Sequence, residues 1–168
     1  MPPLVLIIHN IRSTHNVGAI LRTAEGFGVS HCYFTGYTPY PSMPGDSRLP
    51  HLAAKIDKSI AKTALGAQEL VPFSVHADVA QCIEQLKDQG YRIVGLEQDS
   101  RSINLENYRR DQPTALLLGE EVSGITPELR GLCDDLIEIP MSGKKESFNV
   151  SVAAGIAMYE LTRMRDNG

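Results

Sequence analysis

The sequence contains no tryptophan, and only three of its 168 residues are cysteines. Cys32, Cys82 and Cys133 are odd in number, lie far apart and form no C-x-x-C pair, so they predict neither a disulfide framework nor a zinc site. We interpret them as buried or partly buried thiols in a reducing compartment. The five histidines show no convincing nucleophile or metal partner, and we expect no bound metal.

Long apolar runs and an excess of positive charge are also missing. The first eight residues, MPPLVLII, lack a basic segment and are too short for a signal peptide or a membrane span. We therefore expect a cytoplasmic protein without a membrane partner. The formal net charge of −4 argues against a broad basic surface, so any site for nucleic acid must be local. The length predicts one domain over residues 1–168.

Apolar runs that are typical of strands alternate with patterns that are typical of helices. Strands are predicted at 4–8, 29–35, 70–75, 92–96, 115–118 and 136–139. The first helix is predicted to begin near Asn16 as a plausible N-cap and to stop at Gly28. Further helices are predicted at 51–62, 78–89, 126–133 and 150–165. This alternation predicts an α/β fold with a mostly parallel sheet and helices on both faces.

Ligands of such sheets bind beyond the carboxyl ends of the strands, but the common nucleotide motifs are absent there. No G-x-G-x-x-G follows a strand. Gly143 and Lys144 resemble the end of a phosphate loop, yet Glu138 stands where its first glycine should be, and Lys145 replaces the magnesium-binding Ser or Thr. There is no G-x-S-x-G elbow either. A Pro- and Gly-rich segment, residues 36–50, is predicted to be a long irregular loop.

Three polar stretches at predicted strand ends carry the functional signal: NVGAILRTAEGFG (16–28), LLLGEEVSGI (116–125) and IPMSGKKESFNVSVAAGIAMYEL (139–161). In this order they resemble the SpoU (TrmH) family of RNA ribose 2′-O-methyltransferases, within the SPOUT class. The first resembles that family's N-x-G-x-x-x-R-T-A element and the second its G-x-E-x-x-G element. The matching positions are Asn16, Gly18, Arg22, Thr23, Ala24, Gly119, Glu121, Gly124, Ile139, Pro140, Met141, Gly143, Ser147, Phe148, Asn149, Ser151 and Ala153.

The resemblance implies a fold that local patterns do not predict. Family members thread the C-terminal part of a parallel α/β sheet into a deep trefoil knot, which ordinary topological rules disfavour. They work as homodimers and bind S-adenosylmethionine in a bent form. The small residues Ala153, Ala154, Gly155 and Ala157 of the last helix would then pack closely in the dimer interface.

The resemblance also implies a cofactor site, with S-adenosylhomocysteine as the product. Glycine at positions 119 and 143 would allow the backbone to approach the cofactor closely. The implied cofactor-binding residues are Leu96, Gly119, Ile139, Met141, Ser147 and Phe148.

The catalytic residues implied by the resemblance are Arg22, Asn16, Glu121, Ser147 and Asn149. Arg22 has the key role; because a guanidinium is a poor base, we favour phosphate anchoring and charge stabilisation, with proton acceptance left open. Asn16 would orient Arg22 or the ribose, and Glu121 would hold the loop or Arg22. Ser147 and Asn149 would face the methyl-transfer centre. Without the motifs, these side chains would be interpreted as helix caps or solvated surface groups.

The expected substrate is tRNA, with rRNA as the second choice. No RNA-binding domain precedes Leu4 and no basic extension follows Arg165, so we expect RNA to be held by the dimer cleft, the 36–50 loop or an auxiliary RNA-binding protein. Contacts from Arg12, Arg48 and the pair 144–145 are left open. The alternatives are a catalytically silent RNA- or protein-binding module that kept the knot, and a SPOUT base methyltransferase.

Overall fold

The computed structural model describes residues 1–163 and contains one seven-stranded sheet in which every pair of neighbouring strands is parallel. The strand order is β3-β2-β1-β6-β4-β7-β5. The strands are β1 (Leu4–His9), β2 (His31–Thr35), β3 (Phe73–His76), β4 (Arg92–Leu96), β5 (Ile103–Asn104), β6 (Thr114–Leu118) and β7 (Asp135–Glu138). The predicted α/β class is confirmed, whereas the knot stays a prediction.

All six predicted strands are present, but the edge strand β5 was missed. It has only two residues, and Ile103 is 41% exposed, so no run of apolar residues marks it. The predicted strand at 70–75 begins later than expected, because a 3-10 helix, Ala67–Glu69, continues into Leu70 before β3. The segment after β2 is irregular up to Leu49, as predicted.

Five α-helices connect the strands: α1 (Thr14–Gly26), α2 (Pro50–Ala64), α3 (Val79–Asp88), α4 (Pro127–Leu132) and α5 (Val150–Thr162). The prediction of Asn16 as the N-cap of α1 was wrong. Ser13 is the cap, and its side chain accepts a hydrogen bond from the Asn16 N–H. Asn149 does cap α5, accepting from the Ser151 N–H at 2.9 Å. The predicted end of this helix at Arg165 lies outside the described residues.

The two faces of the sheet are covered by different helices. One core cluster joins β1, β2 and β6 to α1, α2 and α5, with Phe34, Ile20 and Met158 fully buried in it. The second cluster joins the opposite face to α3 and α4 through Ile83 and Leu129. Within the described part of the chain, no helix is long and apolar enough to cross a membrane.

The crossing of α1 over α2 explains the glycine of the N-x-G element. A Cβ at Gly18 would lie 2.1 Å from Thr63 Oγ1 and 2.3 Å from the Ile60 carbonyl oxygen. The Thr63 hydroxyl also donates to the carbonyl oxygen of His15, so a side chain of α2 binds the backbone of α1. Gly18 therefore serves packing, which fixes the start of α1 beside the carboxyl end of β1.

Burial keeps the cysteine thiols protonated. It raises the pKa of Cys32 to about 12 and the pKa of Cys82 to about 11. Cys133 is partly buried, and its pKa is also raised to about 11, mainly by burial. All three are free, as the sequence predicted.

Candidate functional site

A cavity of about 180 Å³ lies at the carboxyl ends of β6, β4 and β7, which are neighbours in the sheet. Its walls come from the loops that follow these three strands and from the start of α5. Five of the six predicted cofactor-binding residues line it, and Met141 does not. The lining residues that had been predicted are Leu96, Gly119, Ile139, Ser147 and Phe148.

The loop 119–124 forms one wall of this cavity and is unusually tight. A Cβ at Gly119 would lie 2.5 Å from the carbonyl carbon of Gly124, so only glycine fits there. Gly124 has φ +67°, a left-handed conformation that favours glycine. Glu120 and Gly124 exchange two backbone hydrogen bonds of 3.2 and 2.9 Å. Gly143 is different, because a Cβ there would meet no atom of the protein within 4 Å.

Glu97, which the sequence reasoning missed, ties this loop to the end of β4. Its carboxylate accepts hydrogen bonds from the Ile125 N–H at 2.7 Å and from the Gln98 N–H at 2.9 Å. A Cβ at Gly124 would lie 2.1 Å from Glu97 Oε2, so the glycine makes room for the carboxylate. Glu97 also lines the cavity. The only signal in the sequence was its position directly after a predicted strand.

Glu121 connects the same loop to the start of α1. Its carboxylate accepts from the N–H groups of Arg12 and Ser13 at 3.3 and 3.2 Å, and from Asn16 Nδ2 at 3.3 Å. Partial burial alone would raise its pKa, but hydrogen bonds from its own N–H and from these three groups outweigh burial and lower the pKa below the usual value for glutamate. The Glu121 carboxylate is therefore ionised, and its oxygens are used in hydrogen bonds that fix the loop against the start of α1. It holds the loop, one of the two predicted roles, and does not touch Arg22.

A shallow depression adjoins the cavity and shares Glu120, Glu121 and Val122 with it. Asn16 and Asn149 also line this depression, so three of the five predicted catalytic residues lie together, while Ser147 faces the cavity next door. Because Asn149 Oδ1 already accepts from the Ser151 N–H and hydroxyl, the amide nitrogen is the group that Asn149 can offer to a ligand.

Within a single chain, Arg22 lies apart from Asn16, Glu121 and Asn149. It is exposed on α1 and lines a separate depression between α1 and α2, with Lys62, Thr63 and Phe27. Its neighbour Thr23 lies close to Gly155 of α5, since a Cβ added at Gly155 would lie 3.6 Å from the Thr23 methyl group. The catalytic role of Arg22 stays a prediction.

The four basic side chains that were considered as possible RNA contacts differ in their exposure and in the contacts they already make. Lys144 and Lys145 are exposed on the loop after β7. Arg48 is engaged within its own loop: it binds Asp46, donates to the carbonyl oxygen of Tyr40 at 2.9 Å, and lies 3.6 Å over the Tyr40 ring. Arg12 lines the depression, with 73% of its side chain exposed.

The sequence matches the SpoU rRNA Methylase family over residues 46–159. The chain belongs to this family, as the three motifs predicted.

Two relatives and one solved structure show the range of the family. The chain is 36% identical to the 23S rRNA (guanosine-2′-O-)-methyltransferase RlmB of Nitrosomonas europaea, over 96% of this chain and 56% of the relative. It is 32% identical to the tRNA (guanosine(18)-2′-O)-methyltransferase of Escherichia coli K12, over 99% of this chain and 66% of the relative. The SpoU methyltransferase AviRb of Streptomyces viridochromogenes, solved with AdoMet, is 25% identical with a TM-score of 0.74, over 94% of this chain and 56% of that one. The chain thus spans between half and two thirds of the length of these proteins.

Proposed function

We propose that this protein transfers a methyl group from S-adenosylmethionine to a ribose 2′-hydroxyl of RNA. The observation that carries the proposal is the convergence of two motif stretches, 116–125 and 139–161, and the end of β4 on one cavity, beside a depression where Asn16 of the first motif joins Glu121 and Asn149. Membership of the SpoU family and the activities for which the two relatives are named support it.

The lining of the cavity fits an adenosine-containing cofactor. Leu96, Ile139 and Phe148 offer apolar surface for a purine ring, and Phe148 is 40% exposed. The tight turn at Gly119 presents backbone groups without a side chain in the way. When bound, S-adenosylmethionine supplies an activated methyl group on a sulfonium. A related structure with AdoMet supports the same cofactor here.

The residues of the depression would orient the ribose. Asn16 and Asn149 each carry an amide that can hydrogen-bond a sugar hydroxyl. Glu121 is unsuited to take the hydroxyl proton, because its pKa is lowered and its oxygens already accept three N–H groups. Its part is to hold Asn16 and the start of α1. Arg22 would anchor a phosphate of the RNA, since a guanidinium keeps its proton.

A homodimer is part of the proposal, because α5 exposes an apolar stripe. Val152, Ile156 and Tyr159 are spaced by four and three residues, so they share one helix face, and they are 50%, 37% and 54% exposed. A second copy of the chain would cover this face. Since Thr23 contacts Gly155 of α5, a dimer on α5 would put Arg22 at the edge of the interface, within reach of the other copy's site. An Ile156→Glu variant should then sediment as a monomer at micromolar concentration and lose transfer, whereas a monomeric wild type would contradict the dimer.

We propose tRNA as the first candidate substrate and rRNA as the second. We also propose that the protein acts in the cytoplasm, where its free thiols stay reduced. The similarity to both a tRNA and an rRNA enzyme supports RNA as the class but does not decide between them. An auxiliary RNA-binding protein would compensate for the net charge of −4.

The first test is a calorimetric titration with S-adenosylhomocysteine, followed by transfer of a labelled methyl group to unmodified tRNA and rRNA. We expect micromolar binding, and label in a ribose 2′-O-methyl nucleoside after digestion. Label in a base would identify a base methyltransferase, and binding without transfer to either RNA would favour a silent module. Arg22→Ala should abolish transfer and leave the affinity for S-adenosylhomocysteine unchanged. A parallel loss of affinity would assign Arg22 a structural role.

A further inference from the structure

An exposed tyrosine is held on a firmly fixed turn at the carboxyl end of β2. The Tyr37 N–H donates to Asn10 Oδ1 at 3.1 Å, while its side chain is 49% exposed. The residue before it, Gly36, has φ +64°, and a Cβ there would lie 1.9 Å from Asn10 Oδ1. Asn10 itself has φ +53°, which is uncommon for a residue other than glycine. The turns after β1 and β2 therefore interlock around the backbone of Tyr37.

The residue after Tyr37 fixes the turn from the other side. Thr38 is 4% exposed, and its hydroxyl lies 2.9 Å from the carbonyl oxygens of Ile8 and Thr35. It also accepts the N–H of Ile11 at 3.2 Å. Because the backbone is already ordered on both sides, binding through the Tyr37 ring would lose little conformational entropy. Such an aromatic side chain is preorganised for a partner.

The side chain of Arg12 lies beside this ring, and among the residues that the structure describes its polar contacts are long. Its guanidinium carbon is 5.3 Å from the centroid of the Tyr37 ring, and its Nε is 3.4 Å from the Tyr37 hydroxyl. Its Nη2 is 3.4 Å from Glu120. Exposed ion pairs of this kind contribute little, so a phosphate can replace Glu120 as the partner of Arg12. Glu120 would keep the hydroxyl of Ser123 as a hydrogen-bond donor.

These two side chains stand next to the depression where the ribose would bind. Arg12 lines the depression together with Asn16 and Asn149, and Tyr37 is linked to it through Arg12. Single-stranded RNA is typically recognised by stacking of bases on aromatic rings and by basic side chains along the backbone. An exposed ring and a weakly held guanidinium, side by side, have this chemistry.

We propose that Tyr37 and Arg12 form the contact that positions the RNA strand, with Tyr37 stacking on a base and Arg12 binding an adjacent phosphate. This inference rests on the proposed function of the site and names the side chains that recognise its substrate. It also locates a small basic and aromatic contact on a chain whose net charge is −4. The carboxylate of Glu121 does not oppose it strongly, since three N–H groups already compensate its charge.

The test measures binding of fluorescein-labelled unmodified tRNA and of a 23S rRNA fragment by anisotropy at several salt concentrations, with saturating S-adenosylhomocysteine. Tyr37→Ala should weaken binding roughly 5- to 150-fold, the usual range for losing one base stack, whereas Tyr37→Phe keeps the ring and should bind like the wild type. Arg12→Gln should reduce the slope of log affinity against log salt by about 0.7 to 0.9. The matched control is Lys87→Gln, on α3 near the amino-terminal ends of β4 and β7 and so away from the carboxyl ends that form the site, which should change neither quantity.

Transfer assays on the same variants separate this inference from the proposed function. If the wild type methylates RNA and Tyr37→Ala keeps the wild-type KM and kcat, the inference is overturned and the function stands. If the wild type transfers no methyl group to either RNA, the proposed function fails and the inference fails with it. All four variants should bind S-adenosylhomocysteine like the wild type. A Tyr37→Ala variant that loses affinity for this ligand would reveal a change in the cavity and would overturn a role in RNA contact alone.

Discussion

Replacing Gly119 by alanine tests whether the tight loop 119–124 shapes the cofactor cavity. The new Cβ would lie 2.5, 2.7 and 2.7 Å from backbone atoms of Gly124 and Ile125. Ordinary contact begins near 3.4 Å, so the loop would have to move by roughly 1 Å, and backbone atoms cannot yield as a flexible side chain would. This movement strains the two hydrogen bonds between Glu120 and Gly124 and the bond from the Ile125 N–H to Glu97.

The cost follows from these contacts. Overpacking of this size destabilises by about 1–3 kcal/mol, and each strained backbone hydrogen bond adds up to about 1 kcal/mol. If about 1–3 kcal/mol of this cost weakens the contacts between the cavity wall and the ligand, the affinity for S-adenosylhomocysteine drops roughly 5- to 150-fold. Each kcal/mol of lost stability should also lower the melting temperature by about 2–4 °C.

Gly143→Ala is the matched control, because a Cβ there meets no protein atom within 4 Å and the backbone does not need a positive φ. Both substitutions restrict the unfolded chain equally, so the difference between them isolates the clash. We expect thermal melting to show a loss for Gly119→Ala alone, and calorimetry to show a loss of affinity for Gly119→Ala. A Gly119→Ala variant that melts and binds like the Gly143→Ala variant would refute the argument. A loss of affinity for Gly143→Ala without a change in melting would show that the cofactor itself approaches that glycine.

Two further predictions concern stability. Asp135 accepts hydrogen bonds from Arg92 Nε at 2.5 Å and from the hydroxyl of the buried Tyr108 at 2.9 Å. Asp135→Asn should therefore lower the free energy of unfolding, measured in urea, by about 1–3 kcal/mol. Asp111→Asn, at an exposed position, is the control, and an equal effect of the two substitutions would contradict the argument. Burial lowers the pKa of His9, against the opposing charge of Glu120, and it lowers the pKa of His31, with help from His76. The unfolded chain therefore binds protons more readily than the folded chain near pH 6.5, so the melting temperature should fall as the pH is lowered from 7.5 to 5.5. His31→Gln should make this pH dependence weaker. An unchanged pH dependence in this variant would exclude His31 as a cause.

Much of the sheet could be predicted because a buried parallel strand leaves a continuous apolar run. Leu4–His9 and Thr114–Leu118 are of this kind, and both lie at the centre of the sheet. The order of the strands could not be predicted, since β4 and β6 pair across an intervening β5 that pairs elsewhere. The two-residue β5 leaves no pattern at all. Local periodicity encodes burial, whereas strand order depends on contacts between distant segments.

The candidate site shows the same division. Five of the six cofactor-binding residues that the family resemblance implies line one cavity, and four of these five, all but Leu96, belong to the motifs. The motif could not reveal that Gly18 serves the α1–α2 crossing, or that Ser13 rather than Asn16 caps α1. It also could not reveal that Arg22 lies apart from Asn16 and Glu121 in a single chain. These facts depend on which helix packs on which.

Two carboxylates, one after β4 and one within the loop 119–124, connect the parts of the site. Glu97 holds one end of the loop to β4, and Glu121 reaches from the loop to the start of α1. The cavity and the depression therefore share a wall that is fixed from both sides, so a cofactor in one and a ribose in the other would be held at a constant separation. Methyl transfer needs the donor and the hydroxyl in close, aligned contact, and in the proposed function a rigid shared wall would supply this alignment before either ligand binds. We therefore expect the carboxylate of Glu121 to contribute through position rather than through proton transfer.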